Sequence, residues 1–84
     1  MNRQEAYKIL SAELKTISEN DLDTLLEFDG QNIETEVLSD SAISYSLMIE
    51  IQFMGNNEFE LKGSIHDGNS YNFDLLEEKI LVTK

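Results

Sequence analysis

The chain has 84 residues, no cysteine and no proline, and it carries 17 acids against 6 bases for a formal net charge of −11. That length suits one small domain of about this size, the lack of thiols removes disulfide frameworks and thiolate metal sites, and the negative sign disfavours nucleic acid and anionic lipid as partners. No apolar stretch approaches the roughly 18 residues of a membrane span, and the opening MNRQEAYKIL lacks the basic-then-apolar order of a signal peptide, so the expectation is a cytoplasmic protein of bacterial type with no membrane partner.

The first predicted element is a helix over residues 3–18. Tyr7, Leu10, Leu14 and Ile17 recur at steps of three and four and form one stripe, which Ala6 and Ile9 widen, while Lys8 and Lys15 lie on the opposite, wet side. SENDLD then interrupts. Ser18 or Asn20 is expected to cap a second, short helix over 21–29, because a short oxygen-bearing side chain accepts from the orphan N–H groups of a helix start. Asp21 and Asp23 suit that first turn, where the positive end of the helix dipole favours carboxylates. Leu22, Leu25, Leu26 and Phe28 give the helix its apolar side, and Gly30 is placed to end it.

From there the period changes to two. Residues 32–38 read as a strand with Glu34 and Glu36 outside and Ile33, Thr35 and Val37 between them. In 43–54, Ile43, Tyr45, Leu47, Ile49, Ile51 and Phe53 share one face. GNN supplies a turn into 58–66, where Phe59, Leu61, Gly63 and Ile65 face inward. The apolar register pairs Phe53 with Phe59, Ile51 with Leu61, Ile49 with Gly63 and Leu47 with Ile65, and it sets Glu50 opposite Lys62 without further assumption. At HDGNS, a three-residue loop over 67–69 leads to a strand 70–75, with Tyr71 against Ile65 and Phe73 covering Gly63. The tail admits a turn of helix at 75–79 and a last short strand at 80–83.

The fold class expected is α+β: two N-terminal helices packed on one face of an antiparallel meander of three to four strands, forming a single domain over 1–84. The open face would then show Glu34, Glu36, Ser44, Ser46, Met48, Glu50, Gln52, Glu60, Lys62, Ser64, His66, Asn72 and Asp74. Its charge is not evenly spread along the chain. Between Lys15 and Lys62 there is no Lys or Arg, and 11 of the acids fall in that interval, whereas the two flanks balance. Such a middle can be a solvated surface, a complement to a basic protein, or a divalent-cation site.

The chemistry-bearing patterns are sparse. Asp21, Asp23, Glu27 and Asp29 do not follow a calcium loop, since Leu25 and Leu26 fall where ligands should stand and the glycine is misplaced. His66 beside Asp67 resembles an oriented base, but no nucleophile accompanies it, and a strand-end residue is the simpler reading. Glu77 and Glu78 are adjacent and should diverge. The four glycines are scattered, with no phosphate-cradling motif. Tyr45, Phe53, Phe59, Tyr71 and Phe73 all belong to the buried face, which leaves no aromatic platform for nucleic acid. Met48 and Met54 lie on the otherwise polar face, where methionine can line an adaptable contact.

Ser18 and Leu22, then Tyr45, Ile49, Glu50 and Ile51, then Gly63, Ser64, Ile65, His66, Asp67 and Gly68, together resemble an uncharacterised group of short bacterial proteins with a helical head and a strand ending Gly-Ser-Ile-x-Asp-Gly. His66 departs from the acid usual at that place. The resemblance implies a fold and no activity. The small size, acidity and lack of catalytic groups are also similar to immunity proteins that neutralise bacterial nuclease toxins. The functional expectation is a non-enzymatic, cofactor-free and metal-free module whose Asp21, Asp23, Glu27, Glu34 and Glu36 dock a basic protein surface, a toxin among the candidates. The alternative is a stand-alone or homodimeric structural domain that associates with itself through a sheet edge or the Met48 region.

Overall fold

The computed structural model describes residues 2–68 and 75–84. Helices α1 (Arg3–Ser18) and α2 (Leu22–Phe28) precede strands β1 (Asn32–Leu38), β2 (Ser44–Gly55), β3 (Glu58–His66) and β4 (Leu76–Thr83). The strands form one antiparallel sheet in the order β1-β2-β3-β4, and the helices pack against it, an α+β architecture.

Asn2 starts α1 by accepting the Glu5 N–H at 3.1 Å. The buried stripe is Ala6, Leu10, Leu14 and Ile17. Tyr7, expected on it, is instead 51% exposed. Steps of four, four and three align the stripe from Ala6, and alanine lets the helix sit close to the sheet. Tyr7 is turned to the margin, where its hydroxyl donates to Glu78 Oε1 at 3.3 Å. The capping of α2 also differs from expectation. Ser18 Oγ donates to the Lys15 carbonyl and Asn20 Nδ2 to the Ile17 carbonyl, so both satisfy the last carbonyls of α1. Asp21 is left to cap α2, accepting from Thr24 N at 2.9 Å. Gly30, at φ +78°, turns the chain out of α2 and donates its N–H to the Ile51 carbonyl at 2.8 Å.

The β2–β3 register is the one the apolar face requires: Phe53↔Phe59, Ile51↔Leu61, Ile49↔Gly63, Leu47↔Ile65, and Glu50↔Lys62 on the other side. Asn56 (φ 55°) and Asn57 (φ 61°) make the two-residue turn, with both centres in the left-handed region that this hairpin type needs. The Phe53 and Phe59 rings close that end of the inner face, tilted at 51° with centroids 5.1 Å apart.

The C-terminal strand corrects the sequence reading. Residues 76–83 are one continuous strand, with no helical turn at 75–79, and β4 pairs Leu76 with Ile65, Glu78 with Gly63, Ile80 with Leu61 and Val82 with Phe59. The alternation Leu76, Ile80, Val82 fits the inner face once Glu78 is admitted to it. Glu78 is accommodated because Ser11 Oγ donates to its Oε2 at 2.8 Å. Gly63 is covered by α1, since a Cβ placed there would lie 2.7 Å from Leu10 Cδ1 and 3.2 Å from Leu14 Cδ2. The expected strand at 70–75, with Tyr71 and Phe73, lies outside the described residues except for Leu75, which precedes β4.

The core joins the α1 stripe and Leu25 to Tyr45, Leu47, Ile49, Ile51, Phe59, Leu61 and Ile65. α1 lies chiefly over β3 and β4, and α2 over β2. The inner side chains of β1, Ile33, Thr35 and Val37, are consequently only half-buried.

Candidate functional site

The face of the sheet turned away from the helices is built by strand alternation alone. Register places Glu34 beside Met48, Ser64 and Glu77 in one row across the sheet. Glu36, Ser46 and His66 form the row towards one end, and Asn32, Glu50, Lys62 and Lys79 the row towards the other, with Gln52, Glu60 and Leu81 beyond. Glu77 and Lys79 thus stand where Asn72 and Asp74 were expected. A shallow hollow of about 490 Å³ opens over Glu34, Glu36, Met48, Ser64 and His66. Met48 is 42% exposed within it. Carboxylates dominate the β1 side of this face, and the two lysines lie on the β3 and β4 side.

Of the five acids singled out in the sequence, Glu34 and Glu36 stand together on this face. Asp21, Asp23 and Glu27 belong to α2, which packs against β2 from the opposite side. The structure therefore divides the set between the two surfaces of the sheet. All five are exposed. Asp21 also serves the fold as the α2 cap, and hydrogen bonds from Thr24 hold its carboxyl below the usual range. His66 is an exposed strand-end residue whose Nδ1 accepts the Gly68 N–H at 3.0 Å, so that nitrogen serves a local turn. Among the described residues, no three His, Cys, Asp or Glu side chains converge as a metal site would require, and no helix is long and apolar enough to cross a membrane.

No family model, curated protein or solved structure matches the chain.

Three polar ties escaped the sequence reading. Glu5 accepts from Ser41 Oγ at 2.8 and 2.9 Å and from the Tyr45 hydroxyl at 3.0 Å, which fastens the β1–β2 hairpin to the first turn of α1. The Ser41 hydroxyl is the main reason the Glu5 carboxyl sits below its ordinary value, with Ser39 and Tyr45 adding to it against the effect of burial. Burial, followed by the Glu5 carboxylate, pushes the Tyr45 phenol up. A tyrosine on an inner face needs a partner for its hydroxyl, and that was the available signal. Asp29 Oδ1 accepts the Phe53 N–H at 2.8 Å, bracing α2 against β2. The third tie is Glu78 with Ser11 and Tyr7.

Proposed function

We propose that this protein is a non-enzymatic binding module that docks a basic protein surface, acting as an inhibitor or immunity factor towards a partner such as a nuclease-type toxin. The observation that carries this reading is the unbalanced negative charge of the middle of the chain. From Glu19 to Asp40 the chain has no Lys or Arg, and the β1 side of the open face presents the exposed Glu34 and Glu36 around a hollow with an exposed methionine. Carboxylates so arranged can occupy the places where a nucleic-acid-binding protein receives phosphates, steering association at a rate that falls with ionic strength.

The test is a titration of the protein against purified basic nuclease domains, at about 50 and 300 mM salt, with association and dissociation followed separately. Saturable one-to-one binding is expected, with an association rate that drops about tenfold or more over that range and falls further in Glu34→Lys/Glu36→Lys. Binding indifferent to both salt and charge reversal would remove this reading.

Self-association is the second reading, and it rests on the apolar residues of the sheet margins: Leu38 is 73% and Leu81 70% exposed. Sedimentation of the isolated protein at high concentration separates the two, since a clean monomer eliminates the homodimer.

A further inference from the structure

We propose that the outer edge of β1 receives an extended segment of the partner, one that alternates Lys or Arg with apolar residues, as a fifth strand of the sheet. This rests on the docking reading above and names the partner's recognised element. Among the described residues no strand pairs with this edge. The direction of its free backbone groups follows from the ladder. The Gln31 carbonyl accepts from Ile51 N, and Ser39 N donates to the Ile43 carbonyl. Odd-numbered residues of β1 therefore bond inward to β2, and Asn32, Glu34, Glu36 and Leu38 direct their N–H and C=O groups outward. These are the groups a docking strand uses.

The side chains along the edge state what the added strand must carry. On the open face its neighbours are Glu34 and Glu36, two residues apart, so bases at alternate positions meet them directly. On the helix side its neighbours are Ile33, Thr35 and Val37, half-buried because both helices lie over the other strands. Intervening apolar side chains fit there. A second copy of β1 does not. Every central antiparallel register that keeps the faces aligned sets Glu34 against Glu36, or one of them against itself. Edge carboxylates commonly guard against pairing with a copy; the same two groups match a basic strand.

Three synthetic peptides of about nine residues test the idea by calorimetry and amide NMR. One alternates lysine with valine, one has the same composition with its lysines contiguous, and one is the alternating peptide N-methylated at the positions that would face β1. The alternating peptide is expected to bind with slowed amide exchange at Asn32, Glu34, Glu36 and Leu38, and the other two to bind about tenfold or more weakly. Leu38→Pro keeps every carboxylate and removes one outward N–H; if its circular dichroism matches the parent, a similar loss is expected. Equal binding of all three peptides would overturn the edge proposal and leave charge-steered docking standing. So would the absence of any peptide binding alongside retained binding of basic nuclease domains. If neither peptides nor domains bind, both readings fall. Concentration-dependent assembly of the protein alone, competed by the alternating peptide, would give the edge to a second copy instead.

Discussion

Ala42 shows how one residue records the demands of a turn. It closes the β1–β2 loop, where Ala42 N donates to the Ser39 carbonyl at 3.0 Å, and it does so at φ +62°. An L side chain is strained there and glycine is not. Ala42→Gly is therefore expected to raise unfolding stability by about 0.5–1 kcal/mol, the gain in relieved strain exceeding the added freedom of the unfolded chain; urea unfolding with an unchanged slope would show it. The neighbouring Ser41–Glu5–Tyr45 tie gives a pH signature. Glu5 ionises in the folded protein below its ordinary 4.5, so its stabilising contribution is present above that value and is lost as pH falls through the lower, folded one. Tyr45 is raised above 10.0, so its contribution is present below 10.0 and lost as pH climbs through the folded value. Glu5→Gln is expected to flatten the fall in Tm on the acid side relative to the parent. A parallel pair of acid limbs would show that Glu5 is not coupled to folding.

At the level of elements, the contact that fixes α1 on the sheet is the bare backbone at Gly63. Leu10 is wholly buried and its Cδ1 lies 2.7 Å from where a β-carbon would stand. Gly63→Ala should cost about 1–3 kcal/mol through overpacking, and Leu10→Ala about 2–5 kcal/mol through its cavity. The double variant should cost less than the two together, because the new methyl moves into the space that Leu10 leaves; strict additivity in denaturant unfolding would mean that the strain is relieved elsewhere. The same glycine marks where the sequence was legible and where it was not. Within 32–38, 43–54 and 58–66 alternation is nearly unbroken, so three strands and their order followed from the residues, and the apolar face of the last two admits the one β2–β3 register. Helix α1 followed from the spacing of Leu10, Leu14 and Ile17, and α2 from Leu22, Leu25, Leu26 and Phe28. Beyond Ile65 the pattern is ambiguous, because Glu78 sits at an inner position. Only the nearness of Ser11 and Tyr7, distant in sequence, makes a carboxylate acceptable there. The cap of α2 was misplaced for a related reason: Ser18 and Asn20 have the right chemistry, but the end of α1 engages them first. The acids of α2 and β1 look contiguous along the chain, and the sheet that lies between them could not be weighed until the layers were known.

On the scale of the whole molecule, the charge excess opposes compactness. At −11, with the interval from Lys15 to Lys62 holding 11 acids and no base, the folded chain concentrates like charges that the unfolded chain spreads out. The screening length shortens from about 30 Å at 0.01 M salt to about 3 Å at 1 M, so added salt should relieve the repulsion. Tm at pH 7 is expected to rise by about 4–8 °C across that range, the shift that about 1 kcal/mol produces in a domain of this size. Glu34→Lys/Glu36→Lys, which lessens the excess without touching the core, should show a weaker rise. A flat profile in the parent would mean that the carboxylates are already balanced by local contacts. The same titration carries a second consequence, because salt should act on partner docking with the opposite sign. Ionic strength that steadies the fold slows the approach of a basic surface. A chain shaped only for solubility could spread its acids evenly and lose less stability by them. Acids that also serve docking would slow association as salt rises while the fold gains stability, and the crossing of those two salt dependences in one protein is the measurement that separates the explanations.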